Sequence, residues 1–456
     1  MRQLLQWLPQ PWRRAILALG TMPLGRRLVR GALASLGMTG VSIFLGLVNS
    51  VLSSRLLGPE NYGLYSFAML LTAIATVPFW FGMTTLLTRE TGRVVASGTR
   101  ADMTVLLRWC FSLTFKVVLA VTTIAGALAW LAQGQLGAAR YSICLLALPM
   151  IGLSVIMPIN ITVLRGIGGL VRSQFCDLVA RPSINVIALV IGLAILGRQG
   201  LNANVGLAAQ ILAVLATSIL SGFWLFQGWR EMRASGPAQA LPYSGTFRLR
   251  DLLMFSAYAT LGALYGSIDG LLLNAYEGNS ALGIYRIALV GVQLIVGFTA
   301  AVNTIAQPSI ASLYAAGDSQ RLQRLLTATA RSTALLAAIP VAILIIFAQP
   351  FLRFAFGAAY VAGAHVLAIA ALGQLATAFA GPVANLLILT GHEKTALRCL
   401  LAGTALNAGL CLVLIPQFGM TGAAVASVLG GLLLIGLMSF SERRLTGLTS
   451  SIFGAR

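Results

Sequence analysis

The sequence predicts an all-α integral membrane protein of about twelve transmembrane helices, arranged as two six-helix lobes around a central cavity. Three observations carry this reading. The 456 residues are 58% hydrophobic and 9% charged, with a mean hydropathy of +0.88, whereas a soluble chain carries roughly 25% charged residues. The charges cluster between apolar runs of about 20 residues, the length that crosses a bilayer core as a helix. These runs are continuous and lack the ten-residue alternation of a transmembrane barrel. Finally, segments of the first half recur in the second.

The elements follow in order. Residues 1–30, "MRQLLQWLPQPWRRAILALGTMPLGRRLVR", mix Arg with Leu and Trp. No A-x-A cleavage site follows a short apolar core, so an interfacial amphipathic lead-in fits better than a removable signal peptide. The N-lobe, 31–227, holds apolar runs at 31–54, 62–85, 108–132, 142–164, 177–197 and 204–227. A basic linker, 228–250, precedes the C-lobe, 251–440, with runs at 251–275, 282–305, 329–348, 361–389, 397–416 and 419–439. Residues 441–456 form a short tail. Alternate connections carry the Arg: the N-terminal segment, then Arg89, Arg93 and Arg100, then Arg165 and Arg172. Arg230, Arg233, Arg248 and Arg250 follow, then Arg321 and Arg324, then Lys394 and Arg398, and last Arg443, Arg444 and Arg456. Arg108, Arg181 and Arg331 fall in first turns on that same side. The intervening connections hold only Arg55, Arg140, Arg198 and Arg353. The positive-inside rule makes the first set cytoplasmic, with both termini, and turns a net charge of +20 from a nucleic-acid signal into a topological one.

The repeat is most visible where "LVNSVLSSRLLGPENYGLYSFAML" (47–70) aligns without gaps on "SIDGLLLNAYEGNSALGIYRIALV" (267–290). Gly58 falls on Gly278, Gly63 on Gly283, Tyr65 on Tyr285 and Ala68 on Ala288. "PINITVLRG" (158–166) resembles "PVANLLILTG" (382–391), and "GLAAQILAVL" from Gly206 echoes "GAAVASVLGG" from Gly422. An even number of spans per half gives both lobes the same orientation, related by an axis along the membrane normal. "SSRLLGPENYGLYSFA", with "GIYRIA" and "GDSQRLQRLL" of the second half, resembles the polysaccharide-transporter (Wzx-type) flippases. Their superfamily also holds MurJ-type lipid II flippases and MATE drug exporters. The resemblance runs over residues 31–440 and implies a central cavity open to one side at a time. It also implies export of an undecaprenyl-diphosphate-linked oligosaccharide for exopolysaccharide, O-antigen or capsule, in the bacterial inner membrane. The implied partners are that lipid-linked glycan, membrane lipids and the polymerase or export machinery of the polysaccharide.

The charges inside the apolar runs are the candidate site. Asp269 lies nine residues before Gly278 and Arg286 eight after it, so the two reach matching depth on neighbouring antiparallel helices. An unpaired charge at mid-membrane costs at least ~2.5–3.5 kcal/mol, which predicts that they pair. The pair is either a structural clamp or part of the cavity wall; its first-lobe counterparts, Asn49 and Ser66, are polar but uncharged. Lys116, inside span three, either snorkels to the cytoplasmic interface or meets a lipid diphosphate. Asn49 and Asn160 are intramembrane amides able to bond neighbouring helices or sugar hydroxyls, with Asn185, Asn303, Asn385 and Asn407. Arg89, Arg165 and Arg172 stand at the cytoplasmic mouth, as topological charge or as ligand contacts. Pro158 and Pro382, at equivalent places in the repeat, predict kinks in spans four and ten.

Other chemistries lack their residues. There is no Walker A sequence and hence no built-in ATPase, and no cofactor or metal is implied. The five cysteines have no metal-ligand spacing and read as packing residues. The extracytoplasmic connections hold only Glu60 and Glu277 as acids, neither beside a second acid or a His, which argues against an enzyme of the same glycan pathway. A cation-coupled, MATE-like exporter is the alternative transporter, and it calls for more intramembrane carboxylates than Asp269 alone.

Overall fold

A computed structural model describes residues 23–97, 100–134, 137–234 and 249–454. Most of the interfacial lead-in expected over 1–30, and most of the 228–250 linker, therefore fall outside the described residues. Helix α1 covers Pro23–Ser97, α2 Arg100–Leu131, α3 Ala138–Gly166, α4 Leu170–Gln174, α5 Arg181–Leu196 and α6 Ala203–Ala234. The second half holds α7 (Leu249–Tyr265), α8 (Ile268–Ala315), α9 (Ser319–Ile346) and the short α10 (Ala348–Ala355). It ends with α11 (Ala364–Ala380), α12 (Val383–Leu389) and α13 (Glu393–Thr446). The chain is an all-α, multi-pass membrane protein, and no strand occurs among the described residues.

Nine helical stretches among the described residues are long and apolar enough to cross a membrane. Three of them are each two arms joined at a glycine: α1 at Gly58, α8 at Gly278 and α13 at Gly419. Gly58 (φ 72°, ψ 171°) and Gly278 (φ 84°, ψ −171°) occupy the same backbone region, one open in practice only to glycine, since a Cβ would meet its own backbone there. The aligned glycines of the repeat therefore make the same joint, reversing the chain without a loop.

The two prolines differ in whether the helix ends at them. At Gly381–Pro382 the chain breaks between α11 and α12, with Gly381 at φ 72°. Pro158 instead lies within α3, whose assignment runs unbroken from Ala138 to Gly166. The residue before each proline explains the difference: Gly381 can enter the positive-φ region, and Met157 cannot without strain. The fifth span also departs from its expected limits of 177–197. Its helix begins at Leu170 and passes through a π-turn at Phe175–Ala180 before α5. Pro182 has no N–H to give to the carbonyl four residues back, and the Arg181 N–H bonds Cys176 O, five residues back.

The bundle has two ends, one carrying the glycine joints and one carrying the C-terminal residues. The largest apolar cluster joins Leu57, Tyr62 and Leu201 of the first half to Leu273, Tyr285 and Tyr360 of the second, near the glycine joints. The clusters around Leu87 and Leu106, and around Leu322 and Leu386, draw on one half each. The largest cluster shared by the halves thus lies at the joint end, and Gly297 packing on Ile43 extends their contact away from it. At the other end, α9 starts behind Asp318, whose carboxylate accepts from the Arg321 N–H at 3.0 Å, as the "GDSQRLQRLL" segment allows. The expected tail of 441–456 is docked as far as it is described. α13 is capped by Gly447, Gln323 exchanges two hydrogen bonds with the Thr449 backbone (2.7 and 2.9 Å), and Ile452 N–H donates to Phe379 O at 3.1 Å.

Gly278→Ala should cost about 1–3 kcal/mol, because the joint conformation admits no side chain. Gly46→Ala, in a helix interior with open space around it, should be neutral or stabilising by up to about 1 kcal/mol. Thermal unfolding of the purified protein in detergent measures both, and equal loss in the two would overturn the assignment of the joint.

Candidate functional site

Directly beyond the joints, the second arms of α1 and α8 cross at backbone contact. A Cβ on Gly63 would collide with the Asn279 carbonyl, and a Cβ on Gly283 with the Pro59 carbonyl. Residues 59 and 279 align in the repeat, as do 63 and 283, so each contact is the symmetry image of the other. Further bonds cross the same seam. Tyr360 Oη donates to Ser54 O (2.9 Å), Arg55 Nε to Ala355 O (2.8 Å) and Arg140 Nη2 to Asn279 Oδ1 (3.3 Å). Both sides of the seam are held at the joint end.

Beneath this closure stand Tyr62 and Tyr65, with ring centroids 5.9 Å apart, and Arg286. The arginine is half-buried and lies within electrostatic reach of both tyrosines. It is about 12 Å along its helix from Gly278. Arg181, on α5, is an exposed cation of the first half. The expectation that Arg181 sits in a first turn is corrected by the π-turn: it lies eleven residues beyond Leu170, about 16 Å into the helix. Its partner is Asp177, at 3.9 Å, with both side chains roughly two-fifths exposed, so the pair is loose and solvent-screened.

Asp269 and Arg286 do not form the expected ion pair. The buried Asp269 carboxylate accepts from Tyr285 Oη at 2.5 Å and from the Gly270 N–H at 2.7 Å. The reason is helical phase. Tyr285 turns into its own half towards Asp269, and the next residue, rotated by one helical step, turns towards the opposite half. Depth was matched and direction was not. The carboxylate is satisfied by neutral donors, and the Arg286 guanidinium has no carboxylate partner among the described residues.

The other candidates scatter. Asn49 Oδ1, the counterpart of Asp269, is buried without a hydrogen-bond partner. Asn160 is buried, donates to Ser218 O at 3.3 Å and lines a separate cavity of about 470 Å³ with Arg108, Phe226 and Trp229. Lys116 is exposed on α2 beside exposed Phe115 and Leu119, on the side turned away from the helix's buried contacts at Leu106 and Cys110. Arg165 and Arg172 are exposed at the end opposite the joints. The Arg89 side chain lies outside the described residues. The five cysteines are free, and no metal-ligand cluster occurs among the described residues. Sequence reasoning passed over Tyr62, Tyr65 and Arg181. The first two were legible as an i, i+3 pair in "NYGLY", and the third depends on the π-turn.

Comparison with known proteins places this geometry. A family profile described as polysaccharide biosynthesis protein matches residues 28–314, and a second, MatE, matches 259–413. An uncharacterized membrane protein of Methanocaldococcus jannaschii is 26% identical over 188 residues. That alignment covers 40% of this chain and 37% of the relative, so the match spans little more than a third of that protein's length. Among solved structures, the inward-facing form of a multidrug resistance MATE family transporter of the MOP superfamily superposes with a TM-score of 0.69. It is 16% identical, with 91% of this chain and 97% of that one covered. A MOP superfamily transporter of Pyrococcus furiosus gives 0.65 at 17% identity (91% and 94% covered). The lipid II flippase MurJ, inward closed, gives 0.62 at 16% (89% and 87% covered).

Two substitutions separate the observed arrangement from an ion pair. Tyr285→Phe removes one of the two donors to a buried carboxylate and should destabilise by about 1–3 kcal/mol. Arg286→Gln, which leaves Asp269 fully bonded, should cost less than about 1 kcal/mol. Melting curves of the purified variants decide, and a larger loss for Arg286→Gln would reinstate the pair.

Proposed function

The chain belongs to the polysaccharide biosynthesis protein family, and from that premise we propose that it is a flippase for polyprenyl-diphosphate-linked oligosaccharide. It carries the repeat unit from the cytoplasmic to the extracytoplasmic leaflet of the bacterial inner membrane, by alternating access of two lobes (31–227 and 251–440). The observation that supports the reading is Arg286, a half-buried intramembrane cation with no carboxylate partner among the described residues, with Arg181 as a second arginine well inside a helix of the other half. A diphosphate alone in hydrocarbon faces a desolvation cost of tens of kcal/mol, so its crossing requires cations along a shielded path. Guanidinium suits the task, because its donor fork matches phosphate oxygens. The tyrosine hydroxyls and Asn49 offer bonds to sugar, while the prenyl chain stays in lipid.

In this reading the joint end is extracytoplasmic and both termini are cytoplasmic, as the Arg asymmetry implies. The conformation described is the one loaded from the cytoplasm, with Arg165 and Arg172 at the mouth. The fold likeness is in keeping: the superposition is better on the inward-facing MATE structure than on the outward-facing one, 0.69 against 0.63. Polymerase and export machinery would act on the delivered unit. The MatE match over 259–413 supports a second reading, a cation-coupled exporter centred on Asp269.

Loss of the protein should stop surface polysaccharide while complete lipid-linked units accumulate facing the cytoplasm. Accumulation in the outer leaflet would place the protein at a later step, and unchanged glycan with drug hypersensitivity would favour the exporter. Arg181→Gln and Arg286→Gln should each reduce translocation by roughly 10- to 100-fold at normal protein level, the worth of one charged hydrogen bond of about 1.5–3 kcal/mol. For orientation, alkaline phosphatase fused after Arg233 should be inactive and fused after Gly278 active; the reverse would invert the topology.

A further inference from the structure

Arginine is scarce at the joint end, yet two of the arginines there meet in one place. Arg55, at the end of the first arm of α1, and Arg353, on α10, line the same cavity of about 780 Å³ although 298 positions apart in the chain. Val51 and Arg55 stand at i, i+4 on one helix, and Pro350, Arg353 and Phe354 at i, i+3, i+4 on the other, so each helix gives the cavity one face. The walls are otherwise apolar, and the cavity is open to its surroundings.

The two cations differ in their engagement. Arg55 donates through Nε to Ala355 O and through Nη2 to Phe354 O, capping the carbonyl end of α10, and its other guanidinium N–H groups are uncommitted among the described bonds. Arg353 is exposed and makes no hydrogen bond or ion pair among those described. No carboxylate among the described residues pairs with either. The surroundings point to membrane: α10 buries Ala348 and Leu352, while Phe347 and Phe354 stand 54% and 86% exposed beside the cations. A short helix with bare aromatic rings and an unpaired arginine belongs at the boundary of headgroups and acyl chains.

We propose that this cavity is a binding site for the phosphate of an anionic phospholipid, drawn from the extracytoplasmic leaflet. That choice of leaflet rests on the orientation given above; the site itself does not. Arg353 and the free N–H groups of Arg55 hold the phosphate, and Val51, Pro350 and Phe354 take the first part of an acyl chain. Bulk phospholipid is the occupant by mass action, since an open lateral cavity samples the most abundant phosphate in its leaflet. Because Arg55 belongs to the first half and α10 to the second, a bound phosphate bridges the halves and adds to the closure of the seam.

Native mass spectrometry of the full chain, released from detergent with defined lipid, tests this directly. Phosphatidylglycerol should be retained in preference to phosphatidylcholine, whose phosphate is shielded by its own choline, on the order of tenfold. Arg353→Gln should reduce that preference roughly fivefold, the worth of one basic residue near a lipid phosphate. Arg55→Gln should do so too, but it also loosens α10, so the Arg353 variant is decisive. Arg286→Gln should leave phosphatidylglycerol retention unchanged, which keeps this site distinct from the space between the halves. Equal retention of the two phospholipids, or retention insensitive to Arg353→Gln, overturns the proposal. Preferential retention of undecaprenyl diphosphate through Arg353 would also overturn it, by making the occupant the carrier lipid. An inverted result from the phosphatase fusions would change only the leaflet.

Discussion

The backbone approach of Gly63 and Gly283 is the contact on which the arrangement of the two halves depends. Helices come this close only where neither carries a side chain, because a Cβ at either position would strike a carbonyl of the opposite arm. In hydrocarbon there is little hydrophobic drive for one helix to prefer another over lipid, so such packing must supply the cohesion. The glycine joints at Gly58 and Gly278, five residues earlier in each repeat, aim the two arms at each other. Bonds from Tyr360 and Arg140, and the capping of α10 by Arg55, gather around the same place.

Contact between the halves continues away from the joints, where Gly297 packs on Ile43, and the charges sit between these contacts and the joints. Asp269 is buried and bonded by Tyr285, a local solution that uses no cation. Had it paired with Arg286, that guanidinium would have been neutralised inside its own half. The repeat shows what differs: Tyr65 aligns with Tyr285, but Asn49 stands where Asp269 does, with its oxygen unpartnered. The first half therefore keeps an open polar group where the second has a closed one.

Much of this was legible in the chain. Composition and run length determine a helical membrane protein, since a bilayer interior tolerates only self-satisfied backbone. The aligned glycines were visible at positions 58, 63, 278 and 283, and the structure gives each pair one common role. Less legible were features that depend on a neighbour. Gly381 turns Pro382 into a break, whereas Met157 keeps Pro158 within its helix. Pro182 widens the turn before it, which carries Arg181 from an apparent helix start to mid-helix.

The sequence by itself determined the class, the repeat and the matched positions of Asp269 and Arg286 about Gly278, because residue counting along a helix of known rise gives distance along its axis. It left azimuth open. Which way Arg286 faces, which donor satisfies Asp269, and that Arg55 and Arg353 share a cavity follow from how the helices are rotated and paired. Those rotations are set by contacts between helices, from Tyr285 on Asp269 sixteen positions away to Arg55 on Ala355 three hundred away, which no local pattern encodes.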